Sequence, residues 1–173
     1  TALNKVLVAE GLPEHVEPED VETGGWSTWY SGVQKLRRAY LCATEGKPLR
    51  TGDMTADDDA WLFDETCMFS SHLLCHSDAE GVYVPQDFPG PIPDDFDSPF
   101  LGGLVGSSQG LLRELDQVAD LIGAPKERTV STLQAWLEGL DEGDVLLAER
   151  LTFGGLYAAA LHSVETGALI VFA

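Results

Sequence analysis

The sequence predicts an α+β domain in which four to five helices pack on a small mixed or antiparallel sheet. Three observations lead to this prediction. Apolar residues recur with helical spacing in several segments, which are bounded by capping residues and by Gly or Pro. A turn-like sequence at 78–81 lies between two short segments of strand type, which predicts a hairpin over 72–86. The chain ends in an apolar run, 168–172, which predicts a C-terminal strand inside the sheet beside the hairpin.

The clearest helix in the first half of the chain is predicted between Thr28 and Glu45. Its apolar and aromatic residues recur at i, i+4, i+7 and i+11, which is the pattern of a helix with one buried stripe. The stripe consists of Trp29, Val33, Leu36 and Tyr40. We therefore expect both aromatic side chains to lie in the core, and the basic side chains of this segment to lie mostly off the stripe.

Shorter or later segments carry the remaining helical patterns. Residues 3–7 fit a short helix, although they could equally form a strand. The aspartates at 57–59 suit the positive N-terminal end of a helical turn that reaches about residue 68. Three further patterns predict helices. The first follows a cap at Ser107 or Ser108 and ends before Gly123, the second runs from about Thr129 or Ser131 to Leu140, and the third follows the cap Asp144 and reaches about Glu165.

The predicted hairpin would bring four chemically versatile side chains to one face. If Ser77 pairs with Val82, side chains alternate so that this face holds His72, His76, Tyr83 and Asp87. A histidine held by a carboxylate is a common general-base arrangement, and a tyrosine can donate to developing charge. Such cross-strand pairs also stabilise an exposed sheet face without any chemistry, and we favour that structural role.

The chain is strongly acidic. Ten Lys and Arg against 29 Asp and Glu give a formal net charge of −19. This charge repels duplex DNA and anionic membranes, so neither is expected as a partner, whereas a basic protein would be attracted. No Lys or Arg occurs between Thr51 and Leu112. Half of the cations form a cluster along the first long helix and its exit: Lys35, Arg37, Arg38, Lys47 and Arg50.

Chain length and cysteine content indicate the number of domains and the cellular location to expect. A chain of 173 residues fits one domain, so we expect 1–173 to form a single acidic globular domain. Three cysteines, an odd number, predict reduced thiols, and the first residues do not read as a secretory leader, so the expected location is cytoplasmic. No apolar run approaches the roughly 20 residues that span a bilayer. The sequence does not predict an oligomeric state.

A second set of candidate catalytic residues surrounds Ser108. The segment GSSQG at 106–110 precedes a predicted helix and resembles the G-x-S-x-G nucleophile elbow of the α/β-hydrolases. That resemblance covers about ten residues; it implies a nucleophile at Ser108 and permits a triad with Asp141 or Asp144 and with His162. The alternating βα units of that fold are missing from the pattern. We favour the alternative in which Ser107 or Ser108 caps the helix after a glycine-rich loop.

Four potential zinc ligands lie close together in sequence: Cys67, His72, Cys75 and His76. Their spacing is not that of a standard site, and on a strand Cys75 and His76 would point to opposite faces. Only a helical conformation of 67–77 would bring His72 and His76 together. We therefore expect neither a metal site nor a cofactor.

The function favoured by these observations is that of an acidic protein-binding module, of the inhibitor, immunity or DNA-mimic type, that docks a basic partner. The predicted contact surface combines the acidic run 10–22 with the cation-free span 51–112 and its proline-rich loop 88–99. Within that span the predicted contact residues are six carboxylates in two acidic blocks: Asp57, Asp58, Asp59, Asp94, Asp95 and Asp97. An enzyme is less favoured; it would be a small hydrolase that uses Ser108 with His162, or the His/Asp face of the hairpin. In a third interpretation the function is unknown and the acidity serves only solvation, as in salt-adapted proteins.

Overall fold

The computed structural model describes residues 1–21, 23–75, 81–94 and 103–172, and it confirms the α+β class. Among these residues the helices number seven, more than the four to five expected. The helices are α1 (Ala2–Ala9), α2 (Tyr30–Thr44), α3 (Ala56–Thr66), α4 (His72–Cys75), α5 (Ser108–Ala119), α6 (Val130–Glu138) and α7 (Leu147–Thr166). The strands are β1 (Gly81–Val84), β2 (Ile92–Pro93), β3 (Leu104–Ser107) and β4 (Ile170–Phe172).

The four strands form one mixed sheet in the order β2-β3-β1-β4. The central pair, β1 and β3, is parallel, and the two outer pairs are antiparallel. The C-terminal strand β4 lies beside β1, but at the edge of the sheet rather than inside it. Its residues Ile170 and Phe172 pack against the core, whereas Val171 points the other way and is 62% exposed. Strand β4 is therefore apolar on both faces but packs against the core with only one of them.

The sheet separates two hydrophobic clusters. On one side, α1 packs against Val82, Val84 and Val105, which form the smaller cluster together with residues that follow β1. On the other side, Tyr83 faces the larger cluster, which is built mainly from α2, α5 and α7. Alternation along β1 thus supplies both clusters from one strand. None of the helices in the described ranges is long and apolar enough to cross a bilayer.

The hairpin predicted over 72–86 is wrong in its first arm. Residues His72–Cys75 form the helical turn α4, while β1 pairs with β3 and β4. The cause is a contact from distant sequence: the buried carboxylate of Glu114 on α5 accepts hydrogen bonds from the backbone N–H groups of His72 and Leu73 and from the Ser71 hydroxyl. A carboxylate at the N-terminal end stabilises a helical turn. His76 and residues 78–80 of the predicted turn lie outside the described residues, whereas Gly81, its last residue, begins β1.

Helix α2 confirms the helix predicted in this segment, but not every residue of the predicted stripe is buried. Val33, Leu36 and Tyr40 are buried, whereas Trp29 precedes the helix and is 62% exposed. Arg37 and Arg38 lie off the stripe and are nevertheless buried. The reason is that α2 contacts α3, α5 and α7, so more than one side of it is covered.

Candidate functional site

The three consecutive aspartates at the start of α3 have different environments. Thr55 caps this helix, and its side chain and that of Asp58 form a reciprocal capping box. Successive residues on a helix are rotated by about 100°, so Asp58 points inward while Asp57 and Asp59 point outward. Asp58 is only 1% exposed, and its two neighbours are exposed. The predicted contact site therefore contains two available carboxylates, not three.

The carboxylate of Asp58 is fully used inside the protein. Its Oδ2 accepts hydrogen bonds from the Thr55 hydroxyl at 2.9 Å and from Arg38 Nη1 at 3.2 Å, and its Oδ1 accepts one from Arg50 at 2.7 Å. Burial alone would raise the pKa of Asp58, but the hydrogen bonds from Arg50, Thr55 and Arg38 outweigh burial and lower the pKa to about 2. Asp58 is thus an ionised structural residue that joins α3 to α2.

The described cations are almost all neutralised within the protein. Eight of the ten Lys and Arg side chains form ion pairs: Lys35–Asp53, Arg38–Asp58, Lys47–Glu45, Arg50–Asp58, Arg113–Asp87, Lys126–Asp120, Arg128–Asp116 and Arg150–Asp144. A ninth, Arg37, is buried and donates to the carbonyl oxygen of Leu73. Little positive charge is therefore left to compensate the remaining acidic residues.

The remaining acidic residues lie at the surface. Within the described ranges, the exposed carboxylates with no ion pair to Lys, Arg or His are Glu10, Glu14, Glu19, Asp20, Asp57, Asp59, Asp64, Glu127, Glu138, Asp141, Glu142 and Glu165. They concentrate in the segment after α1, on α3 and around the α6–α7 connection. Asp64 was not among the predicted contact residues, although its seven-residue spacing from Asp57 places both on one side of a helix.

The second predicted acidic block is only partly described. Asp94 is half-buried, and its backbone N–H donates to the carbonyl oxygen of Gly103 at 2.9 Å. Asp95 and Asp97 lie outside the described residues. The contribution of this block to a contact surface stays a prediction.

The predicted serine nucleophile has no histidine as its hydrogen-bond partner. Ser108 is buried, and its Oγ lies 2.7 Å from Oγ of Ser163 on α7, the residue after the half-buried His162. Ser107 caps α5 by accepting a hydrogen bond from the backbone N–H of Gly110, which confirms the predicted cap. The predicted glycine-rich loop before the helix is wrong at 104–107, because these residues form strand β3. The candidate acid Asp144 is engaged by Arg150.

The predicted histidine face is brought together only in part, and inside the core. Nδ1 of His72 accepts a hydrogen bond from the backbone N–H of Ser107. Its Nε2 lies 3.1 Å from the carbonyl oxygen of Phe88, and since a carbonyl only accepts, Nε2 carries the proton. The Tyr83 hydroxyl donates to the backbone carbonyl of His72, not to its ring. Asp87 is exposed and pairs with Arg113 at 2.7 Å. Both ring nitrogens of this histidine are thus committed to backbone groups.

A shallow cavity of about 470 Å³ lies between α6 and α7. It is lined by Arg128, Thr129, Val130, Ser131, Gln134, Leu161 and Glu165. None of the candidate catalytic residues lines it. The described residues also contain no group of three or more His, Cys, Asp or Glu side chains that could hold a metal ion. Of the candidate ligands, Cys67 is exposed while Cys75 is buried and donates to the carbonyl oxygen of Thr66.

Comparison with known proteins assigns the chain to a family. No curated protein and no solved structure matches the chain. One family model does match, over residues 1–172, which is nearly the whole chain. The chain therefore belongs to the family described as "Putative DNA-mimic protein".

Proposed function

We propose that this protein is a DNA mimic that occupies the DNA-binding face of a DNA-binding protein, with its exposed carboxylates in the positions of DNA phosphates. The observation that carries this proposal is the internal neutralisation of the cations, which leaves an acidic surface uncompensated. With a net charge of −19, such a surface accelerates association with a basic face and favours it over neutral ones.

The family also corrects the partner predicted from the sequence. That prediction named a basic protein as the partner without specifying what else it binds; the family description points instead to proteins that bind DNA. We therefore take the partner to be a protein whose own ligand is DNA. The partner's positive charge is then a consequence of its DNA-binding face and is not sufficient by itself.

The spacing of carboxylates on α3 fits this role. Asp57 and Asp64 lie on the same side of the helix and are separated by about 10 Å along its axis, at about 1.5 Å per residue. One strand of duplex DNA carries a phosphate every 3.4 Å or so along the helix axis, so the two carboxylates span about three steps. A cation pair that bridges phosphates across that distance would therefore find matching charges here.

The hydrolase hypothesis receives no support from these positions, because Ser108 and His72 are buried and hydrogen-bonded to other groups. The cysteines Cys42, Cys67 and Cys75 are all free, which is compatible with a reducing compartment such as the cytoplasm, the location that this proposal assumes.

The test is capture of partners by the tagged protein from native lysate, followed by elution with duplex DNA. We expect a DNA-binding protein to be released by the duplex, and by salt as the Debye length falls below about 10 Å above 0.1 M. With that protein purified, increasing duplex concentration should weaken the binding of the mimic competitively. A ternary complex with DNA would refute the proposal, and the absence of any duplex-released protein would leave solvation as the role of the acidity.

A further inference from the structure

We infer that the outer face of α3 and the turn after it form the centre of the partner contact, and that exposed apolar side chains there supply affinity that salt does not screen. The side chains in question are Phe63, Met68 and Phe69. This inference rests on the proposed function and makes it specific. It assigns part of the affinity for the partner to apolar side chains in addition to the carboxylates, a contribution that neither the net charge nor the family description implies.

Helix α3 has an unusual distribution of side chains. Its buried side carries Asp58 and Leu62. Its solvent side carries Phe63, which is 69% exposed, with Asp64 on one flank and Asp59 on the other. A surface helix normally exposes polar residues and buries aromatic ones. Here a large aromatic ring stands between uncompensated carboxylates in water.

The turn after α3 extends this apolar centre. Met68 is 69% exposed and Phe69 is 58% exposed, directly after the last turn of the helix. Scattered exposed apolar residues are ordinary, whereas here three large ones lie within seven positions of the chain, and groups of exposed apolar side chains mark interaction sites. Soluble surfaces otherwise avoid such patches because they promote association.

The backbone holds Phe69 in this exposed position. Among the described residues, Phe69 is the one non-glycine residue with positive φ, at 49°. The left-handed conformation is unfavourable for a side chain of this size, and such outliers concentrate at ligand contacts and functional turns. Its N–H donates to the carbonyl oxygen of Thr66 at 3.2 Å, so the turn is ordered at the end of the helix. The strained backbone conformation of Phe69 is thus not offset by burial of its ring, which is 58% exposed.

The occupant that fits this surface is the DNA-contacting face of a DNA-binding protein. The nearest cations to α3 do not neutralise its outer face, since Lys47 pairs with Glu45, Arg50 pairs with Asp58, and both stack on Trp61. The partner's Lys and Arg would therefore meet Asp57, Asp59 and Asp64. Apolar groups of the partner, which contact sugars and base edges when DNA is bound, would meet the apolar centre. A desolvated aromatic centre ringed by charges is the usual form of an affinity hot spot.

The first test separates the two contributions by salt. The variants Phe63→Ala, Met68→Ala and Phe69→Asn are exposed substitutions, and Asn tolerates the left-handed conformation at 69. With the duplex-released partner, we expect Phe63→Ala and Phe69→Asn each to raise Kd about tenfold, mainly through faster dissociation, at every salt concentration. The triple variant Asp57→Asn/Asp59→Asn/Asp64→Asn should instead flatten the salt dependence. Val145→Ala, at an exposed site remote in sequence, is the matched control and should leave Kd unchanged.

The second test does not depend on prior isolation of a partner. A photo-crosslinking amino acid, p-benzoylphenylalanine, is placed at position 63 or 69, or at control position 145, and the cells are irradiated. We expect a covalent adduct with a DNA-binding protein from 63 and 69 and none from 145. Adducts with a protein that does not bind DNA would refute the proposed function while retaining this surface. Adducts absent from 63 and 69, or apolar variants that bind within about twofold of wild type, would overturn the inference itself.

Discussion

The imidazole of His72 packs directly on the backbone of Gly110, so that a Cβ at position 110 would overlap the ring. The ring of Tyr83 covers Gly106 in the same manner. The two glycines of the G-x-S-x-G pattern are therefore accounted for by packing, because each makes room for an aromatic or imidazole ring at the junction of β3 and α5. The pattern that resembles a nucleophile elbow is a place where helix, strand and core approach closely.

Substitution of Gly110 should therefore be strongly destabilising. The His72 ring cannot move aside easily, because hydrogen bonds to Ser107 and Phe88 hold it on both edges. We expect Gly110→Ala to reduce the free energy of unfolding by about 1–3 kcal/mol, the usual range for overpacking a core. Urea unfolding followed by circular dichroism would measure this. Gly139→Ala is the control; its Cβ would meet only ordinary contacts at 3.6 Å, and a similar loss there would contradict the explanation.

Asp58→Asn should destabilise the protein although it removes one negative charge from a very acidic chain. It leaves Arg38 buried without its close partner, which typically costs about 3 kcal/mol. Because the folded pKa, about 2, lies below the ordinary 3.8, ionised Asp58 stabilises the fold above pH 3.8 and this contribution is lost as the pH falls towards 2. Urea unfolding across this window should show a smaller pH dependence in the variant. The exposed neighbour Asp57→Asn should change stability little; equal effects would refute the distinction.

Glu149→Gln should have the opposite pH signature. Neither carboxylate oxygen of this buried side chain has a hydrogen-bond partner among the described residues, and Arg38 Nη2 is 3.8 Å away. Burial raises the pKa of Glu149 despite the nearby positive charge of Lys35 and Arg38. As the pH rises above 4.5, the Glu149 carboxyl therefore ionises in the unfolded chain before it ionises in the folded protein. The free energy of unfolding falls with pH in this range, until the pH exceeds the raised pKa that Glu149 has in the folded state. We expect Glu149→Gln to gain stability relative to wild type over that rise, measured by thermal unfolding. An unchanged difference at pH 4 and pH 8 would be inconsistent with a buried, unsatisfied carboxyl group.

Ser108 should not react with serine-hydrolase probes. Its Oγ is buried and lies within hydrogen-bond distance of Ser163, and no imidazole in the part of the chain that the structure describes is hydrogen-bonded to it as an activating base. We expect no labelling of the folded protein by a fluorophosphonate probe. Labelling that disappears in Ser108→Ala would revive the hydrolase hypothesis. The unfolded protein serves as a control for any reactivity that depends on exposure alone.

Local sequence determined the elements whose signals are contained within a few residues. The helix α5 follows from Leu111, Leu115 and Val118 at helical spacing after the cap Ser107, and all three are buried as the pattern predicts. The existence of the C-terminal strand β4 was also predictable from its apolar run, whereas its place at the edge of the sheet was not. The acidic character of the surface follows from composition, since few carboxylates can be buried in any fold of this size.

Only the tertiary structure decided which residues within those elements are exposed to solvent. Segment 72–75 is helical because Glu114, about forty residues later, caps it, and no local pattern contains that contact. Asp58 is withdrawn from the surface because Arg38 on another helix meets it, while Asp57 and Asp59 remain outside. Phe63 and Phe69 are exposed, although their residue type alone would predict burial. Sequence thus specified charge and periodicity, which are local properties, whereas burial and pairing depend on contacts between distant segments and had to be read from the fold.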